Sequence, residues 1–360
     1  MKIKPTTKFA ILALSLVLVA CAGGGSEEAG CPAIDGREIN VVATTPMIGE
    51  FVSQVGGENI NLTVLMPPEA NPHTYEPAPQ DAGTIAEADL VFYTGLLYEP
   101  AALVKLLENS ACSTDILSEV GESVFPIEFK EGGHDDHDDH DDHDDHDDEE
   151  GHDDHDDEEG HDDEEGHDDH DDEEGHDDHE GHNHGAYDPH FWFDPSRVAY
   201  AAEYIESRLI QFDPENESSY ISSADSFVSE LNDLTKQVSE LISTVPSQNR
   251  KLITTHESLG YLEAKFGLEV LSTIIPSLNS ANEISPSDLA GVIDVIEDNN
   301  VKVIFIESEA PSVYSETIVA ETGIKPVTGL YVETLKPGQS YSEFLISNVK
   351  LITENLQDTD

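Results

Sequence analysis

The sequence predicts an α/β protein of two similar lobes, each a roughly four-stranded parallel sheet with helices, joined by a long rigid helix. Compact β-branched segments alternate with helical ones up to about residue 128, and the same alternation resumes after residue 247. Between them runs an apolar stripe of helical spacing. Short, continuously apolar strands in β-α-β order are the pattern of parallel sheets covered on both faces.

In the first half, INVVAT (Ile39 to Thr44) is a strand and a helix follows from Met47. NLTVL (Asn61 to Leu65) and LVFYTG (Leu90 to Gly95) are the next strands, with helical patterns over Ala82 to Glu87 and Pro100 to Asn109. A fourth short strand is expected near Val124. In the second half the strands are KLITT (Lys251 to Thr255), EVLST (Glu269 to Thr273), VKVIFI (Val301 to Ile306) and KPV (Lys325 to Val327). Helices are expected over Leu259 to Phe266, Pro286 to Asn299, Val313 to Thr322 and Tyr341 to Asn355.

The stripe comprises Tyr220, Ala224, Phe227, Leu231, Leu234, Val238, Leu241 and Val245, spaced alternately by four and three. That is one apolar face of a helix of about 26 residues, nearly 40 Å long at ~1.5 Å per residue. A coiled-coil dimer would use the same stripe. With an α/β half on each side, a packed connecting helix in a monomer is the better assignment, and it restricts how far the lobes swing.

The 360 residues include 77 acidic and 16 basic ones, for a formal net charge of -61. Such a surface repels nucleic acid and anionic headgroups and attracts cations, so nucleic-acid binding is excluded. The N-terminus reads as a signal peptide, with Lys2, Lys4 and Lys8 before the apolar run FAILALSLVLVA (Phe9 to Ala20). That run is too short to span a bilayer permanently. Leu18-Val19-Ala20-Cys21 resembles the bacterial lipobox, which makes Cys21 the lipidation site and membrane anchor, followed by a Gly-rich tether. Two cysteines remain, Cys31 and Cys112. An exported compartment permits a disulfide between them, with two buried free thiols as the alternative.

Of 17 histidines, 14 lie in one tract: His134, His137, His140, His143, His146, His152, His155, His161, His167, His170, His176, His179, His182 and His184. The tract is built from HDD units, has no apolar residue with which to form a core, and is expected to be a disordered loop. Histidine at regular spacing among carboxylates points to weak, multiple metal binding.

The other three histidines are His73, His190 and His256, each placed at an expected turn. His73 stands in NPHTYEP after the second strand, His190 in DPHFWFDP, and His256 directly after KLITT. Ligands in open α/β sheets bind outside the carboxyl ends of the strands, so all three can converge in one interlobe cleft. Three imidazoles suit a borderline divalent ion, Zn²⁺ above all, with a carboxylate or water as fourth ligand. Glu333 in LYVETL is the first candidate carboxylate, and Glu307 at the end of VIFIE is the alternative.

NPHTYEPAPQD, DPHFWFDP, THESLGYLEAKFGL and IFIES…LYVETL together resemble the solute-binding proteins of bacterial zinc and manganese ABC importers, cluster A-I or family 9. The resemblance runs from about Glu38 to Asn355. It implies that His73, His190 and His256 are the first three ligands and that Glu333 falls where an acidic fourth ligand often stands. It implies zinc as transported ligand, with a manganese-binding member the alternative, because manganese-type members usually carry a carboxylate where this chain has His256. It also implies an ABC permease and its cytoplasmic ATPase as partners, with this protein itself extracytoplasmic, lipid-anchored to the cell membrane or facing the periplasm.

The expected organisation is a signal peptide over 1–20, a tether over 21–37, an N-terminal lobe over 38–128 and a metal-capture loop over 129–186. The N-terminal lobe is completed over 187–215, the connecting helix covers 216–246, and the C-terminal lobe 247–360. A zinc hydrolase is the rival class, but His256-Glu257-Ser258-Leu259-Gly260 lacks the second histidine of H-E-x-x-H. An adhesin leaves the placement of the histidines unaccounted for. Metal binding needs neutral imidazoles, so affinity is expected to fall as pH drops towards and below ~6.5.

Overall fold

In the computed structural model the described residues are Cys31, 33–34, 36–129, 187–275, 285–309 and 313–357. The lipidation candidate Cys21, the signal peptide and all fourteen tract histidines lie outside them.

The N-terminal sheet contains β1 (Ile39–Ala43), β2 (Ile60–Val64), β3 (Leu90–Tyr93) and β4 (Leu117–Glu119), ordered β2-β1-β3-β4. The C-terminal sheet contains β5 (Lys251–Thr254), β6 (Glu269–Thr273), β7 (Val303–Glu307) and β8 (Lys325–Leu330), ordered β6-β5-β7-β8. Every pairing in both sheets is parallel, so the two lobes repeat one topology.

Helices α1 (Pro46–Gly56), α2 (Pro79–Ala86) and α3 (Ala101–Ser110) belong to the first lobe. In α1, Pro46 sits at the first turn and the Thr45 side chain accepts from Ile48 N, which fixes where the helix starts. Two long helices follow, α4 (Pro195–Phe212) and α5 (Glu217–Ser243). The second lobe carries α6 (Gly260–Phe266), α7 (Pro286–Asp298), α8 (Val313–Thr322) and α9 (Tyr341–Gln357).

The structure departs from the sequence reading at three points. The fourth strand is Leu117–Glu119, and Val124 lies in a 3-10 turn instead. LSE is a three-residue edge strand with no apolar run, whereas Val124 is apolar because it enters the core. The 18-residue α4 was not anticipated, although Asp194 caps it and Pro195 starts it. On α5 the buried stripe ends at Ile242, not Leu241, which is only partly buried. Helices of 3.6 residues per turn drift off a strict 4-3 alternation, and two four-residue steps at the end absorb the drift.

One hydrophobic core runs through both lobes. It joins Val41 and Phe92 of the first sheet to Leu252 and Phe305 of the second through α4, α5 and Phe191, Trp192 and Phe193. Helix α5 packs on α1 and α4 on one side and on α9 on the other. Phe51 of α1 meets Tyr341 of α9 edge-on at 5.2 Å between ring centroids. Smaller clusters fill the outer side of each lobe. Cys31 and Cys112 form a disulfide, their Cα atoms 5.0 Å apart, which ties the segment before β1 to the end of α3. Among the described residues no helix is long and apolar enough to cross a membrane.

Candidate metal centre

His73 lies on a 3-10 turn, Pro72–Thr74, whose cap Asn71 accepts from His73 N at 2.9 Å. His190 immediately precedes the Phe191–Phe193 turn that leads into α4. His256 follows β5, and Glu333 stands three residues beyond β8. The two lobes therefore contribute two residues each. All four are buried, with His73 8%, His190 1%, His256 2% and Glu333 1% exposed.

One potential ligand atom from each of these four lies within 4.8 Å of the others, the only such metal-capable group among the described residues. Glu333 Oε1 stands 3.1 Å from His73 Nε2, 3.4 Å from His190 Nε2 and 2.8 Å from His256 Nε2. The His190 and His256 contacts lack hydrogen-bond alignment despite their short distances. Three ring nitrogens and a carboxylate oxygen so close together form a group that could hold a metal ion.

The opposite nitrogens fix that orientation. His190 Nδ1 donates to Asp188 Oδ1 at 2.7 Å, and the same oxygen accepts from His190 N at 2.8 Å. His256 Nδ1 donates to Glu307 Oε2, while Glu307 Oε1 accepts from His256 N at 3.2 Å. With the Nδ1 proton engaged, Nε2 is the nitrogen left on each ring to ligate a cation once its own proton is displaced. Glu307, the alternative fourth ligand, thus stands behind His256 and does not join the converging group.

Tyr98 is a site residue the sequence reading missed. Its hydroxyl donates to Glu333 Oε2 at 2.9 Å and Glu333 O at 3.0 Å, and its ring stands edge-on to His73 and His190. It is delivered by an unusual turn in which Gly95, Leu96 and Leu97 take φ of 76°, 53° and 59°. Gly95 is required there, since a Cβ would fall 2.0 Å from Glu119 Oε1. Leu96, half-buried, and Leu97, exposed, hold the left-handed conformation at a cost in strain.

Burial opposes charge on His190 and His256, but the surrounding carboxylates outweigh it. Glu333 and Asp188 push His190 up to about 9. Glu307 and Glu333 push His256 up to about 10. Burial likewise opposes the Glu333 carboxylate, yet His73 and His190 hold it well below the usual range. Glu309, half-buried beside Glu333, is pushed up to about 8 by desolvation and by the Glu333 charge.

A profile of the family described as "Zinc-uptake complex component A periplasmic" matches residues 41–355. The manganese-binding lipoprotein MntA of Halalkalibacterium halodurans is 22% identical, over 95% of this chain and 94% of its own. The manganese ABC transporter substrate-binding lipoprotein PsaA of Streptococcus anginosus is 24% identical, over 96% and 97%. Among solved structures, the periplasmic zinc binding protein TroA from Treponema pallidum superposes with a TM-score of 0.67 at 19% identity, covering 89% of this chain and 99% of that one. Fe(III)-bound YtgA from Chlamydia trachomatis gives 0.66 at 24% identity, covering 88% and 98%. At these identities the structural likeness establishes the fold. With the profile spanning most of its length, the chain belongs to the zinc-uptake component A family, the extracytoplasmic metal-binding solute-binding components of ABC importers, which are not enzymes.

Proposed function

We propose that His73, His190, His256 and Glu333 hold one Zn²⁺ as cargo and that the protein delivers it to an ABC import permease driven by a cytoplasmic ATPase. The observation that carries the metal choice is the third imidazole, His256, aimed at the centre by Glu307. Three neutral nitrogens and one carboxylate form a four-ligand set suited to tetrahedral zinc, at ~2.0–2.1 Å from each nitrogen. A harder, oxygen-preferring ion gains less from that set. In this proposal Cys21 carries a lipid anchor, the protein acts as a monomer, and the tract from His134 to His184 gathers zinc at weak sites and raises its local concentration.

Manganese is the second reading, because two of the relatives above are named for manganese and Glu333 supplies an oxygen ligand. Metal analysis after dialysis against a mild chelator separates the two, on the mature protein with and without residues 134–184. One tightly held zinc in both forms is the expected result, with several weakly held ions lost on deletion. Retention of manganese with zinc removed would overturn the metal choice. Loss of the tight site on deletion would make the tract part of it.

A further inference from the structure

The peptide groups of Val332 and Glu333 are held from two sides. Their carbonyls accept from the N-terminal lobe, Val332 O from Trp192 Nε1 at 2.8 Å and Glu333 O from Tyr98 at 3.0 Å. Their N–H groups both donate to one oxygen of the C-terminal lobe, Glu309 Oε1, at 3.2 and 3.4 Å. Glu309 lies two residues beyond β7. Its backbone carbonyl accepts from Asn71 Nδ2 at 3.3 Å. Asn71 is the residue whose Oδ1 caps the His73 turn.

We infer that Glu309 and Asn71 form a positioning latch that sets the Glu333 carboxylate and the His73 ring against each other across the cleft. The Glu309 side chain fixes the fourth-ligand segment, and its backbone fixes the first-ligand turn, so one residue registers both lobes at the metal. An acid half-buried beside the Glu333 carboxylate gains nothing from that neighbour's charge. Its retention is accounted for by the two N–H groups it satisfies, which would otherwise be buried and unpaired. Glu309 Oε2 has no hydrogen-bond partner among the described residues, so only one of its oxygens is required for the latch. A neutral amide therefore suffices in place of the acid.

This inference rests on the metal-site proposal, and its test separates the two. Zinc dissociation is followed by stopped flow with a chelating dye, together with affinity by competition and metal-free melting, for wild type and variants. Glu309→Ala should raise the dissociation rate and lower affinity by about 10–100-fold, the usual range for a residue supporting a ligand. Glu309→Gln, which keeps an acceptor at Oε1, should stay within about threefold of wild type. Asn71→Ser keeps a cap oxygen for His73 N but removes the donor to Glu309 O, and should fall between them. Combined with Glu309→Ala it should add less than the sum, because either change frees the same segment. An unchanged dissociation rate in Glu309→Ala, or equal losses in Gln and Ala, overturns the latch while leaving the metal site intact. A merely structural role would lower metal-free melting in proportion to affinity and leave the pair additive. Wild type without one tight zinc would bring down both proposals.

Discussion

The two halves of the site reach the same geometry by different routes. In the N-terminal lobe the support is local: Asp188 orients His190 from two residues away, and Asn71 caps His73 from two residues away. In the C-terminal lobe the support is long-range: Glu307 reaches His256 across 51 residues, from the neighbouring strand β7. A local device survives loosening of its lobe, because sequence neighbours stay close. A device spanning two strands exists only when the sheet is formed. The first half is therefore a property of short motifs and the second a property of the fold.

Exchanging the long-range ligand should have the largest effect. His256→Glu replaces an imidazole with a carboxylate facing Glu307 and Glu333, so zinc affinity should drop by orders of magnitude while manganese affinity falls far less or rises. Titration of both ions into wild type and variant decides it, and equal losses would mean that His256 does not set selectivity.

Proton linkage comes next. The sequence alone placed the fall in affinity near ~6.5, the ordinary histidine value. The carboxylates around His190 and His256 move it up to about 9 and about 10. Near neutral pH the metal-free site is protonated at both, so zinc should displace about two protons, and affinity should rise with pH until those values are passed. Metal-free stability runs the other way. A histidine whose folded value is raised contributes stability that is fully present below its unfolded ~6.5 and is lost as pH rises through the folded value. Melting of the metal-free protein should therefore weaken between pH 7 and 10 while zinc binding strengthens. Calorimetry in buffers of different ionisation enthalpy counts the protons, and a count of zero would contradict the charged state of the empty site.

Removing the supporting carboxylates sharpens the local and long-range contrast. Asp188→Ala and Glu307→Ala should each weaken zinc by about 10–100-fold. They should differ without metal, because Glu307 also accepts from Ser258 Oγ at 3.3 Å and joins two strands. Glu307→Ala should lower metal-free stability by roughly 1–3 kcal/mol, and Asp188→Ala by less. Denaturant melts that fall equally would erase the contrast.

The smallest expected effect on zinc lies in the N-terminal lobe itself. Cys112→Ser opens a loop of 81 residues and should cost about 2–4 kcal/mol of stability. It should leave zinc affinity unchanged, since no described site residue bonds to either cysteine. A parallel loss of affinity would show that the disulfide supports the cleft.

The same contrast governs what the chain disclosed before folding. His73, His190 and His256 were legible because each stands at an expected turn in a body otherwise free of histidine. The strands were legible because buried parallel strands are continuous apolar runs. Glu333 was found because it follows the last strand, but Glu307 could not be demoted from ligand to support until β5 and β7 were side by side. Tyr98 and Glu309 were invisible: the Tyr98–Glu333 bond spans 235 residues, and no local signal marks either. LSE was passed over because an edge strand of three residues with Ser and Glu carries no periodicity.

A continuous core through α4, α5 and the Phe191–Phe193 turn is, among the described residues, the build of a stiff body rather than of two plates on a hinge. A jaw releases its load by opening, whereas a stiff body releases it only when the segments gripping the load are bent. The work of unloading then falls on whatever presses those segments from outside.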